Sequence, residues 1–436
     1  IPAALANLGA YKVADGIEIS LYESIALGSG RQGNNPWLQE LPDPISKVCW
    51  DNFAAISPKL AAEQSLKNGD VIKIGDAFSI PVLLQPGQAY GTLSIAVGYG
   101  RSNTGKVANG IGRNAYPFAM LQNGTVQFEA NGLKMVKTGQ LHKLALTQTH
   151  HSMEGRAIVR ETTLGKYRKD PAAGNELHAK FEKEHQTLYP EFPFVGHHWA
   201  MAIDLNACTG CSSCVIACQA ENNIAVIGKE EVMKTRIMQW IRIDRYYSDE
   251  IENPAVFHQP VMCQQCDNAP CENVCPVSAT NHSNEGLNQM AYNRCIGTKY
   301  CMNNCPYKVR RFNWFRYAKN EKFDYNMNSD LGRMVLNPDV TVRERGVVEK
   351  CSFCVQRIQE NKLQAKLENR PLRDGDITPA CAQACPSGAI IFGDLNDPES
   401  RVARQFQNKR NYHLLEEIHT LPSVGYLTKV TNAENV

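Results

Sequence analysis

The sequence predicts an α+β protein: a β-rich domain over residues 1–125, a linker or strap over 126–196, a cysteine-loop domain over 197–395, and a helix and tail over 396–436. Two observations carry this expectation. Short apolar runs bounded by Gly, Pro and Asp recur before residue 125, the pattern of strands between turns. Fifteen of the sixteen cysteines then fall between Cys208 and Cys385, in four groups.

In the first part GDVIKIGD, FSIPVLLQPGQ and GTLSIAVGYGR read as strands. SPKLAAEQSLKNGD reads as a short helix, with Ser57 as N-cap, Pro58 at the first helical position and Asn68-Gly69 closing it. Cys49, in KVCWDNF, is a lone cysteine and is read as a small buried hydrophobe. Residues 126–196 are polar and irregular. Their histidines (His142, His150, His151, His178 and His185) lack metal-ligand spacing and are expected in solvent or in structural hydrogen bonds. HHWAMAIDLNAC and GAIIFGDL flank the cysteine groups as strands, and QWIRIDRYY reads as a hairpin strand between the first two groups. RVARQFQNKRNYHLLEEI reads as an amphipathic C-terminal helix.

The cysteine spacing carries the chemistry. Cys208-x2-Cys211-x2-Cys214-x3-Cys218 is the run with which bacterial ferredoxins bind a [4Fe–4S] cube. Cys263-x2-Cys266-x4-Cys271-x3-Cys275 is a stretched version, and Cys351-x2-Cys354-x26-Cys381-x3-Cys385 has a long insertion. Cys295-x5-Cys301-x3-Cys305 has Thr298 where a cysteine would stand. The last cysteine of such a run ligates the other cluster of a pair. Pro follows Cys275, Cys305 and Cys385 and turns the chain away, whereas Gln219 follows Cys218. If the outer groups pair, one cube takes Cys208, Cys211, Cys214 and Cys385, and the next takes Cys218, Cys351, Cys354 and Cys381. If the inner groups pair, a third takes Cys263, Cys266, Cys271 and Cys305. Cys275, Cys295 and Cys301 remain, which suits a [3Fe–4S] cluster; the alternative there is a cube with one non-cysteine ligand. Spacing alone does not decide which groups pair.

Other readings of the cysteines fail. Fifteen is odd, against a disulfide framework, and zinc sites use two pairs with no trailing x3-Cys-Pro. With 436 residues, 43% apolar content and a formal charge of +2, the chain has the composition of an ordinary globular protein and no basic balance for nucleic acid. No run of eighteen apolar residues exists, so membrane attachment is expected through another subunit. The chain begins at Ile1 without a signal-peptide pattern and is expected to be a fragment or processed product. No CxxCH is present, so no c-type haem is expected on this chain. Lys308, Arg310, Arg311 and Arg316 in KVRRFNWFRY either offset the negative charge of thiolate-bound clusters or form a solvated basic face.

VMCQQCDNAPCENVCP, YNRCIGTKYCMNNCPYKVRRFNWF and KCSFCVQRI resemble the four-cluster electron-transfer subunits of the molybdopterin-enzyme superfamily, which serve nitrate, polysulfide and dimethyl sulfoxide reductases. In that family the outer groups pair and the inner groups pair, which implies the four ligand sets given above. HHWAMAIDLNACTGCSSCVIACQAENNIAVIGKEEV, with IMQWIRIDRYY after it, looks closest to the iron–sulfur subunits of bacterial alternative complex III. There, a double ferredoxin-like four-cluster domain follows a molybdopterin-enzyme-like domain that carries no molybdenum. NGDVIKIGD and PGQAYGTLSIAVGYGRSNTGKVANGIGRNAYP are similar to the last, β-barrel domain of molybdopterin oxidoreductases. Gly98, Gly100, Gly105 and Asn109 lie where pterin contacts form in that family, although glycines so spaced also serve turns, and no molybdopterin is expected here.

The resemblance implies an electron-transfer component rather than a substrate-converting site. It implies three [4Fe–4S] clusters and one [3Fe–4S] cluster, a polytopic quinol-binding membrane subunit, c-type haem subunits, and cytochrome c or a terminal oxidase downstream. It further implies a peripheral position on the periplasmic face of the bacterial inner membrane. The alternative is the electron-transfer part of an active molybdenum or tungsten bis-pterin oxidoreductase.

Overall fold

A computed structural model describes residues 15–432 apart from 123, 185–189, 191, 249 and 326, so His185 lies outside the described residues. The chain divides into two units, one running to Thr147 with Ser248–Ala255, the other comprising Gln148–Tyr247 and Val256 onward.

The first unit is a seven-stranded mixed sheet. Its strands are β1 (Ile17–Tyr22), β2 (Ala54–Ile56), β3 (Asp70–Ile74), β4 (Phe78–Leu84), β5 (Thr92–Ala96), β6 (Glu129–Leu133) and β7 (Met135–Leu141). They lie in the order β7-β3-β4-β2-β5-β1-β6. Lys134 alone separates the two edge strands in sequence, so the sheet curls back on itself as a half-barrel where the sequence predicts a barrel. Ile19, Ile56, Ile72, Ile80, Val82, Leu93 and Ile95 fill its inside. The helix α1 (Pro58–Glu63) has the expected cap, Ser57 Oγ accepting from Leu60 N at 3.3 Å. It stops earlier than Asn68-Gly69, because Ser65 enters the left-handed region (φ +51°).

β6 and β7 fall where the sequence predicts a linker. All but one residue of β7 is exposed, so it is held by its backbone ladder to β3 and shows no apolar alternation. Cys49 is buried, its Sγ 3.8 Å from Ala145 O. His142 Nε2 lies 3.0 Å from Asp51.

In the second unit the strands expected beside the cysteine groups pair with one another. β8 (Trp199–Asp204) runs antiparallel to β11 (Ile390–Asp394), with Met201 opposite Phe392. β13 (Val424–Leu427) runs parallel to β8 and β12 (Asn411–Tyr412) completes the sheet. β9 (Arg242–Tyr247) and β10 (Val256–Val261) form the expected hairpin, which delivers the chain to Cys263. The C-terminal segment is α-helical only over Arg401–Phe406, with a single 3-10 turn at Glu416–Ile418; its remainder supplies β12 and β13, whose residues are all buried. Helical periodicity in NYHLLEEI is overridden because sheet pairing buries Tyr412 and Tyr426 completely. Among the described residues no helix is long and apolar enough to cross a membrane.

The strap is pinned by one carboxylate. Glu416 accepts from Arg160 Nη2 and His413 N, and its Oε1 pairs with His178 Nδ1, each at 2.7 Å. Burial alone would raise its pKa, but His178 and Arg160 outweigh that and hold it at about 2. A carboxyl held below its ordinary 4.5 contributes stability fully present above that pH and lost as pH falls through about 2. Glu416→Gln leaves the buried Arg160 uncompensated, so a loss of about 3–5 kcal/mol is expected at neutral pH. The difference from the parent should shrink below about pH 4.5 in urea unfolding followed from pH 7 downward.

Candidate iron–sulfur cluster sites

The cysteine loops of the second unit share one backbone device. In CTGCSSC, Gly210 and Ser212 take positive φ (+71° and +66°), and in CIGTKYC, Gly297 and Lys299 do the same (+78° and +61°). Each of these loops opens a helix: α2 (Ser213–Glu221) after Ser212, and α3 (Tyr300–Asn304) after Lys299. Gln265 and Phe353, between the first two cysteines of the other groups, are also left-handed (+49° and +56°). Left-handed residues turn successive N–H groups to one side and make an anion-binding concavity. A Cβ on Gly210 would lie 2.6 Å from the His258 ring, so this loop needs glycine for space as well as for φ. By this correspondence Thr298 occupies the place of Cys211, in a loop of the same shape.

The exits repeat as well. Ser278, Lys308 and Gly388, each third after Cys275, Cys305 and Cys385, have φ of +47°, +52° and +64°. Their N–H groups donate to the cysteine carbonyls at 3.3, 3.3 and 3.2 Å. In two of these turns the next N–H donates to the sulfur, Ala279 to Cys275 at 3.2 Å and Ala389 to Cys385 at 3.3 Å. Cys218, without proline, stays helical, and its carbonyl accepts from Asn222 N at 3.1 Å.

One thiol of each expected set feels the charges of the other members. Burial, and then the charges of Cys208, Cys211 and Cys385, push the Cys214 thiol up to about 12. Cys218 is pushed well above 9 by burial and then by Cys351, Cys354 and Cys381. Cys266 is raised likewise by burial and by Cys263, Cys271 and Cys305. Cys301 is raised by burial and, less strongly, by Cys295 and Cys275, with Arg310 opposing. None of the sixteen cysteines is joined in a disulfide.

Burial separates the sets. Every thiol of the second and third is buried, whereas Cys208, Cys211 and Cys385 of the first and Cys275 and Cys295 of the fourth are half-buried. Charge contacts link the sets in order, and in that sense they form a row. Cys381 feels Cys214, linking the second to the first, and Cys351 feels Cys263, linking the second to the third. Arg310 faces Cys271, Cys263, Cys301 and Cys305 together, spanning the third and fourth.

These residues fit iron–sulfur clusters. Buried thiols crowded in this way stay protonated unless positive charge is placed among them, and iron supplies it. Among the described residues no three His, Cys, Asp or Glu side chains close on a single ion.

The polar surroundings include residues the sequence reading missed. Asn222 Nδ2 lies 3.6 Å from Cys218 Sγ and 3.8 Å from Cys354 Sγ. Asn288 Nδ2 lies 3.7 Å from Cys271 Sγ, and the Thr420 hydroxyl bonds to Cys266. Lys350, 2% exposed, faces both Cys351 and Cys271. Nothing in the spacing of single Asn, Thr or Lys residues marks them. Of the four basic residues in KVRRFNWFRY, only Arg310 touches sulfur, its Nη2 3.0 Å from Cys271 Sγ. Arg311 Nε donates to Gln239 O, Lys308 Nζ to Asn303 O, and Arg316 pairs with Glu344.

In the first unit Gly98, Gly100 and Gly105 serve the chain's own packing. Added Cβ atoms there would strike Gly30, Asn114 and Asn34, all within 2.6 Å. Asn109 Oδ1 accepts from Asn103 N at 2.9 Å.

Comparison with known proteins defines the class. Residues 207–279 and 254–328 each match a family described as a 4Fe-4S dicluster domain. The chain belongs to the family of iron–sulfur cluster-binding subunits built on such domains. It is 44% identical to the menaquinone reductase iron–sulfur cluster-binding subunit of Nitratidesulfovibrio vulgaris, over 53% of this chain and 89% of that one. It is 33% identical to the Hdr-like menaquinol oxidoreductase iron–sulfur subunit 1 of Archaeoglobus fulgidus, over 52% of this chain and 82% of that one. The arsenate respiratory reductase iron–sulfur subunit of a Shewanella species is 30% identical over 52% of this chain and 94% of its own length.

Gly210→Ala tests the loop geometry. It should cost the first set its cluster, read as a fall in the iron-to-protein ratio of about one cluster's worth, with the remaining clusters kept.

Proposed function

We propose that this chain is the electron-carrying iron–sulfur subunit of a membrane-bound quinol-oxidising respiratory complex of the alternative complex III type. The observation that carries this reading is the row of thiol sets, buried in the middle and half-open at both ends. A row so built admits electrons at one end, keeps water from the interior, and releases them at the other. Three sets of four cysteines take [4Fe–4S] clusters: Cys208, Cys211, Cys214 and Cys385; Cys218, Cys351, Cys354 and Cys381; Cys263, Cys266, Cys271 and Cys305. Cys275, Cys295 and Cys301 take a [3Fe–4S] cluster, because Thr298 offers no thiol. When bound, these clusters accept and pass single electrons.

The chain's own residues hold this row and grade it. The left-handed loops and Cys-Pro turns aim N–H groups at sulfur. Asn222, Asn288 and Thr420 add side-chain donors, which raise potential. The fourth set is the end that receives electrons from a quinol-binding polytopic membrane subunit, and c-type haem subunits take them onward to cytochrome c or a terminal oxidase. The half-barrel is a counterpart of the last domain of molybdopterin oxidoreductases without the pterin. The complex sits on the periplasmic face of the inner membrane. The names of the two menaquinone-linked relatives favour quinol chemistry.

The arsenate respiratory reductase relative favours a second reading, in which the chain serves an active molybdenum or tungsten reductase. Elemental analysis of the purified complex separates the two. Iron without molybdenum or tungsten is expected; one molybdenum or tungsten per complex selects the second reading. Thr298→Cys should complete the fourth set, remove the oxidised [3Fe–4S] EPR signal and lower the potential of that cluster. An unchanged low-temperature spectrum would refute the three-iron assignment.

A further inference from the structure

Two buried cations stand at the last two junctions of the row, and among the described residues neither has a carboxylate partner. Arg310, 3% exposed, donates from Nη1 to Thr280 Oγ1 at 3.1 Å and from Nη2 to Asn288 Oδ1 at 2.9 Å and Cys271 Sγ at 3.0 Å. Lys350 donates from Nζ to the carbonyls of Asn288 and Cys351. The cations beside the second set differ. Arg343 pairs with the buried Glu349 at 2.6 Å, and Arg357 with Glu221 at 2.8 Å, so each brings its own counter-charge. A buried cation without a counter-ion is costly unless negative charge is close by. For Arg310 and Lys350 that charge is the thiolate-bound clusters themselves. Arg310 faces thiols of the third and fourth sets, and Lys350 faces thiols of the second and third.

Resting on the cluster assignment above, we propose that Arg310 and Lys350 are positioning residues that set cluster potentials, and that the third cluster, which alone faces both, is the electron sink of the row. Adding an electron makes a cluster more negative, and a fixed cation nearby in a low-dielectric interior favours that state. Asn288 joins the pair, since its amide oxygen takes Arg310, its backbone carbonyl takes Lys350, and its Nδ2 points at Cys271. One residue thus fixes both cations against one cluster.

The pattern of shifts is specific. In redox titration of the intact complex followed by EPR, Arg310→Gln should lower the third and fourth potentials and leave the first. Lys350→Met should lower the second and third and leave the first and fourth. Arg310→Lys, which keeps the charge, should shift the third potential less than Arg310→Gln does. An unmoved third potential in either neutral variant, or an equal shift of all four clusters, overturns the proposal. If both neutral variants lose clusters and Arg310→Lys leaves the potentials unmoved while Lys350→Arg does too, the charge role stands. If those two charge-keeping variants shift the potentials as far as a neutral one, or also lose clusters, the residues are structural and the proposal falls. Iron content and the EPR signatures of the parent complex test the cluster assignment separately, so the two failures are distinguishable.

Discussion

The antiparallel pairing of β8 with β11 is the contact on which the cysteine sets depend. It joins the strand entering the first group to the strand leaving the last, so that Cys208 and Cys385 end in one set although the whole cysteine-loop domain lies between them. Backbone hydrogen bonds fix the register, and Ala200, Met201, Ala202 and Ile203 are buried almost completely, which prevents a one-residue slip. A slip would turn every side chain of the strand to the opposite face and move the first cysteine out of its set. β10 and the short strand Val348–Glu349 play the same part for Cys263 and Cys351, each ending just before its cysteine.

Within that frame the interior is unfavourable as it stands. Thiols held together in an apolar environment resist ionisation, and two cations are buried beside them without carboxylates. Both conflicts are resolved by the same occupant, because a cluster supplies positive iron to the sulfurs and net negative charge to Arg310 and Lys350. The protein and its clusters are in this sense one electrostatic unit.

Much of this was legible in the sequence, and the reasons are local. Cysteine spacing, Cys-Pro exits and the apolar run of WAMAID are near-neighbour signals, and each has its counterpart in the structure. The missing cysteine was also legible, because Thr298 follows Gly297 as Cys211 follows Gly210. Residues that act across long sequence separations were not. Asn222 reaches Cys354, Asn288 meets Arg310, and Thr420 meets Cys266, and no spacing rule marks an Asn or Thr for such contacts. β7 was invisible because it is an exposed edge strand held by its backbone. The tail was misread because helical periodicity in RVARQFQNKRNYHLLEEI gave way after Phe406 to strand pairing in the sheet core.

The interleaving of the sets has a consequence for biosynthesis. As the chain emerges from the ribosome, the last thiol of the fourth set is Cys301 and that of the third is Cys305. The second set waits for Cys381 and the first for Cys385. The inner pair of groups can therefore be complete while the outer pair still lacks its C-terminal half, and β11, which closes the outer sets, is made after every cysteine. On the proposed ligand sets, the outer pair can therefore be filled only after Cys385 has been made, later than the inner pair.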